Sequence, residues 1–114
     1  MTAAGFRRIA LSLPETAESS HMHHPDFRVG GKIFATLGYP DKAHGMVKLF
    51  PDQQEELLKA EPKVFRPAKG SWGKKGATLV VLKGARPASL REAIFAAWQQ
   101  AAPKRLTTKF SHGK

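Results

Sequence analysis

The sequence predicts an α+β domain: an antiparallel sheet of about five strands in the order α-β-β-β-α-β-β-α, with the helices packed on one face. Three observations lead there. Apolar residues recur with a helical period near both ends of the chain, at Phe6, Ile9, Ala10 and Leu13 and again at Leu90, Ala93, Ile94, Ala97, Trp98 and Ala101. Between Ser19 and Phe50 the apolar residues fall instead in strand-like runs broken by Pro, Gly and Asp. Strands gathered in one stretch between helices favour a sheet with a helical layer on one side.

In order along the chain, the first stripe predicts a helix over about residues 2 to 12, because Pro14 disfavours helical geometry at Leu13. Ser19 to His24, Phe27 to Leu37 and His44 to Phe50 read as three strands of a meander, with turns at His24-Pro25-Asp26 and at Gly38-Tyr39-Pro40-Asp41. Gly30-Gly31 falls inside the second run and reads as a bulge or bend. Asp52 with Glu55 has the spacing of an acidic capping box and predicts a helix over about 52 to 61, closed by Pro62. Val64 to Pro67 reads as a short strand, residues 68 to 76 as a glycine-rich loop, and Ala77 to Lys83 as a strand whose Leu79-Val80-Val81-Leu82 run suits cover on both faces. Ser89 with Glu92 forms a standard capping box for the last helix, which ends before Pro103. Residues 1 to 103 therefore read as a single domain, and Lys104 to Lys114 as a basic, aperiodic, flexible tail of the kind that can act as a nucleic-acid arm.

Charge is segregated along this chain. Of its 19 Lys and Arg, 12 lie between Lys63 and Lys114 beside a single acid, Glu92, whereas residues 1 to 62 carry 7 basic and 8 acidic side chains. The formal charge of +10 thus belongs to the second half, which points to a polyanion, with nucleic acid the leading partner class. The competing reading is a basic surface that serves solubility alone. Cysteine is absent, which excludes disulfides, thiolate zinc sites and thiol catalysis. No apolar run approaches the roughly 20 residues of a membrane helix, and Met1 to Leu13 lacks the features of a cleaved leader, so a cytoplasmic location is expected. The sequence does not fix the oligomeric state, for which a monomer is favoured.

Several local strings together resemble the MmcQ/YjbR family of small bacterial proteins: Leu13-Pro14-Glu15, Pro25-Asp26-Phe27-Arg28-Val29, Gly31-Lys32-Ile33-Phe34-Ala35, Val47-Lys48-Leu49, and the Pro67 to Gly76 loop with Trp72, Gly73 and Lys74. The likeness runs over about residues 6 to 102, nearly the whole domain. It implies a fold related to frataxin (CyaY-like) and secretion-chaperone arrangements, and DNA binding through paired hairpin wings. Ala77 departs from the pattern, standing after Gly76 where the resemblance leads one to expect an aromatic.

The loop from Arg66 to Gly76 is the foremost candidate surface. Its glycines permit close approach to phosphate, Arg66, Lys69, Lys74 and Lys75 supply charge, as does Lys83 beyond it, and Trp72 is suited to stacking on an exposed base. The alternative folds Trp72 back onto the core. The glycine spacing does not match a phosphate-loop NTPase. Arg28 and Lys32 flank Gly30-Gly31 and are further candidates, with a pairing of Arg28 to Asp26 or Glu18 an equal alternative; Lys48 is a minor one, and Gln99 and Gln100 are the only faint groove readers. His21, His23 and His24 near Asp26 suggest a two-ligand metal site but lack a matched third ligand, so the expectation is no metal and no cofactor. No catalytic motif is present, and the chain reads as a non-enzymatic DNA-binding protein of low sequence specificity. The rival reading is a chaperone-like protein-interaction module that recognises an acidic partner.

Overall fold

Helix α1 (Ala3–Leu11) begins at a side-chain cap, the Thr2 hydroxyl accepting from the Gly5 N–H at 3.0 Å. The computed structural model describes residues 1–111 of the chain. Six strands, β1 (Thr16–His21), β2 (His24–Val29), β3 (Lys32–Leu37), β4 (His44–Lys48), β5 (Phe65–Pro67) and β6 (Ala77–Val81), form one antiparallel sheet in the order β1-β2-β3-β4-β6-β5. Helices α2 (Pro51–Ala60), α3 (Gly70–Lys74), α4 (Pro87–Ala101) and α5 (Lys104–Ser111), with one 3-10 turn at Leu82–Gly84, complete the fold. The α+β architecture is as the sequence predicts, with one strand more.

The additional strand comes from the run 27 to 37, which is a hairpin rather than one bent strand. Gly30 and Gly31 take φ values of 58° and 78°, the left-handed pair of a two-residue turn, and Val29 faces Lys32 across it. The register shift lies earlier, between Phe27 and Arg28. Upstream the first strand starts at Thr16, and its turn falls on Met22 and His23, both at positive φ, so His24-Pro25-Asp26 is strand and not turn. Pro25 is tolerated for a geometric reason. In a two-residue hairpin the closing pair, here His21 and His24, exchanges the hydrogen bonds, so the next residue turns its nitrogen away from β1. Pairing with β3 begins only at Asp26, so the missing N–H at Pro25 leaves no ladder bond unmade.

Both expected capping boxes start later than the helices themselves. Pro51 and Pro87 occupy the first turns of α2 and α4, where a missing N–H is harmless, with Phe50 and Arg86 as N-caps. Gln53 reaches back to the Phe50 N–H at 3.0 Å. The main core lies between the sheet and α1, α2 and α4. Phe6, Phe27, Phe34, Phe65, Val80, Ile94 and Trp98 are all within 1% of complete burial, and Leu57 and Leu58 of α2 pack against this cluster. The Trp98 indole N–H donates to the Pro14 carbonyl at 3.1 Å, so α4 and the segment after α1 are locked together. A smaller cluster of Met46, Ala68 and Ala77, with Tyr39 and Leu79 against it, sits apart from this core. Residues 104 to 111, expected as an aperiodic arm, instead form α5, whose Leu106 joins the main core. The remainder of the expected tail, 112 to 114, lies outside the described residues.

Candidate nucleic-acid interface

Strand register alone carries several lysines to one end of the sheet. Lys32 opens β3 and Lys48 closes β4, and because these strands are antiparallel, with Ala35 opposite Val47, the two lysines approach the same edge. Lys48 faces Ala77 at the start of β6, which places Lys75 just beyond it. Helix α4 runs along β3 and β4 and delivers Gln99 and Gln100 to that end, and α5 follows at once with Lys104.

Here the surface forms three shallow depressions of about 300, 280 and 500 Å³. The first is lined by Lys48, Trp72, Lys75 and Gln100 among others, the second by Lys32, Lys48 and Gln100, and the third by Lys32, Phe50, Gln53, Gln99, Gln100 and Lys104. Shared lysines make them one continuous groove. No acidic residue lines any of the three, and none of the four lysines forms an ion pair among the described residues. Low-dielectric walls beneath like charges concentrate a positive field in such a groove. Trp72 and Phe50 add two large aromatic faces, 57% and 50% exposed.

Trp72 is held outward by backbone packing. The expected loop at 68 to 76 contains α3, whose backbone is tied to α2 through Gln54. A Cβ on Gly73 would lie 1.8 Å from the Ala68 carbonyl oxygen, and one on Gly76 1.8 Å from that of Leu49. At φ +113° Gly76 also holds a conformation that L side chains rarely adopt. Gln54, 7% exposed, donates from Nε2 to the carbonyls of Gly73 and Ala77, both at 3.0 Å. With backbone packing and Gln54 securing the turn, the indole is presented to solvent instead of closing on the core.

Of the residues singled out from sequence, Lys32, Trp72 and Lys75 lie in the groove, and Lys69 and Lys74 are exposed at either end of α3 beside it. Arg66 is exposed on the edge strand β5. Lys83 sits on the 3-10 turn at the opposite end of β6, about 20 Å from the groove at ~3.3 Å per strand residue. Arg28 has a different partner: its Nε and Nη2 donate to the fully buried Asp26 carboxylate at 2.7 and 3.1 Å. This is the pairing the sequence left open. His21 Nδ1 lies 2.7 Å from the same carboxylate. The Arg28 guanidinium, aided by His21 and opposed by burial, holds the Asp26 carboxyl below its ordinary value.

Phe50 and Gln53 were missed, and Lys104 was read only as part of a flexible arm, because nothing in their local spacing shows that α5 and the start of α2 close on the ends of β3 and β4. Lys48, a minor candidate in sequence, proves central. Arg105, beside Lys104, instead clamps Glu15 with two bonds of 2.8 and 2.6 Å, fixing α5 to the segment after α1 and lowering the Glu15 pKa. His24 packs edge-on against Tyr39 with ring centroids 5.8 Å apart, and His23 is exposed in its turn. Among the described residues no group of three or more His, Cys, Asp or Glu is placed to hold a metal ion.

A family model described as YjbR matches residues 11–100. Among solved structures the chain is similar to Deinococcus radiodurans protein DR2400, which carries the family-model domain DUF419. The TM-score is 0.77 at 20% identity, over 96% of this chain and 88% of that one. At that identity the likeness speaks for the fold. Among curated proteins none matches.

Proposed function

The chain belongs to the YjbR family, a membership that sets its fold and leaves its ligand open, and we propose that it is a non-enzymatic nucleic-acid-binding protein of low sequence specificity, with DNA the foremost ligand. One observation carries this reading: Lys32, Lys48, Lys75 and Lys104, brought from separate elements, line a groove that has no acid among the described residues and is flanked by exposed Trp72 and Phe50. Cations of this kind neutralise phosphates and release condensed counterions, which gives affinity without reading sequence. Lys69 and Lys74 add charge beside the groove, whereas Arg28 serves Asp26 and is not proposed as a contact. No helix among the described residues is long and apolar enough to cross a membrane, and the protein is proposed to act in the cytoplasm as a monomer.

Fluorescence anisotropy with labelled duplex and single-stranded DNA across a salt series tests the proposal. Four phosphate contacts give a log-log slope of about −3.6 on duplex and about −2.8 on a single strand. A flat response, or no binding at low salt, overturns it and favours docking of an acidic protein on the same lysines.

A further inference from the structure

Resting on the nucleic-acid reading above, we infer that the groove takes single-stranded rather than duplex nucleic acid, seating bases on Trp72 and Phe50 and phosphates on the lysines between them. Trp72 lines the first depression and Phe50 the third, while Lys48 and Lys32 are each shared by neighbouring depressions. Two shared lysines thus stand between an aromatic in the first depression and one in the third, so phosphates can meet the lysines while the flanking bases of an unpaired strand meet the rings.

A duplex uses such a surface poorly. Its bases are stacked inside and offer only edges at the groove floors, so an aromatic reaches a base face only by wedging a step apart, with loss of stacking. Trp72 is exposed on a five-residue helix whose backbone is tied to α2 by Gln54 and packs at Gly73 against Ala68, so its ring has a fixed support. Phe50 is likewise held beside the backbone of Gly76. An unpaired strand instead lays successive bases flat on aromatic faces with little sequence preference, because every base has a π face. Gln53, Gln99 and Gln100, in the third depression, carry both donors and acceptors and can meet exposed base edges of any kind.

The test compares the whole protein on a ~10-nucleotide oligo(dT) strand and on a blunt duplex of matched length at equal salt, a span suited to single-strand sites of about 4 to 16 nucleotides. The single strand is expected to bind at least about 10-fold tighter and to quench the emission of the exposed indole, because stacked bases contact it. Trp98, fully buried, is not reached. Trp72→Ala is expected to weaken single-strand binding by about 5- to 150-fold while leaving duplex binding nearly unchanged, and Trp72→Phe to retain most of the affinity. With the indole 57% exposed, the thermal midpoint of either variant should stay near that of the wild type. Equal or tighter duplex binding overturns the inference and leaves the nucleic-acid proposal standing, as does an equal loss on both ligands in Trp72→Ala. Binding of neither ligand overturns both.

Discussion

Replacing Gln54 with alanine probes the joint that orients the tryptophan turn. Its Nε2 donates two bonds from a buried position, to the Gly73 and Ala77 carbonyls. Neither oxygen is orphaned by the change, since Gly73 O also accepts from the Gly76 N–H at 3.1 Å and Ala77 O from the Ala68 N–H at 2.9 Å. The cost is therefore the net worth of two hydrogen bonds, about 1 kcal/mol each. Lost burial of a methylene adds about 0.8 kcal/mol. A destabilisation of about 2–3 kcal/mol follows, equivalent to a fall of roughly 10 °C in Tm for a domain of this size. Urea unfolding followed by circular dichroism measures it, with an unchanged slope showing that the unfolded state is not involved. Gln54→Glu presents oxygen to oxygen and should cost at least as much. Gln53→Ala removes only the exposed bond to the Phe50 N–H and should cost about 1 kcal/mol or less. A loss under about 0.5 kcal/mol for Gln54→Ala would refute the claim that this side chain holds α3 on α2.

Three further outcomes are expected. Gly76→Ala forces a side chain into a φ of +113° and against the Leu49 carbonyl, so strain and overpacking should together remove about 3 kcal/mol or more, read as the urea midpoint. Asp26 is held below the ordinary carboxylate value chiefly by Arg28, so its stabilisation is complete above about pH 4 to 5 and is lost as pH falls through the lower folded-state value. The stability gap between wild type and Asp26→Asn should narrow from about pH 4 downward, and a gap constant to pH 2.5 would contradict that linkage. Lys48→Ala and Lys75→Ala should each reduce the single-strand salt slope by about 0.7, whereas Lys83→Ala, at the other end of β6, should leave it unchanged.

The layered architecture was legible because its determinants are local. The strict rhythm from Leu90 to Ala101 marks a helix whose Leu90, Ala93, Ile94, Ala97 and Trp98 are buried. The apolar run after Ala77 likewise marks β6, although its last residues, Leu82 and Lys83, leave the sheet in a 3-10 turn. Where the reading slipped, two local meanings competed. Gly30-Gly31 suits a bulge and a tight turn equally, and only pairing of Val29 with Lys32 decides between them. Pro25 signals a turn until the hairpin phase directs its nitrogen away from β1. Gln54 gave no sign of its role, because a polar residue on a surface helix is ordinary until a second segment arrives with two carbonyls. The site was half legible for a related reason. Charge segregation and Trp72 directed attention to a turn that borders the groove, but register and the folding back of α5 select which cations stand together. They favour Lys48 and Lys104 over Lys83 and commit Arg28 to Asp26.

The proposed binding depends on location: particular lysines are proposed to bind nucleic acid because they share a groove, and the excess charge of the chain is proposed not to suffice. Two variants of equal charge decide the matter, one with Lys32, Lys48, Lys75 and Lys104 changed to alanine and the other with Lys42, Lys63, Lys83 and Arg91 changed, all exposed and outside the groove. Measured by anisotropy on single-stranded DNA at moderate salt, the groove variant should lose affinity by about 100-fold or more while the matched variant stays within about 3-fold of wild type. Equal losses in the two would contradict the account.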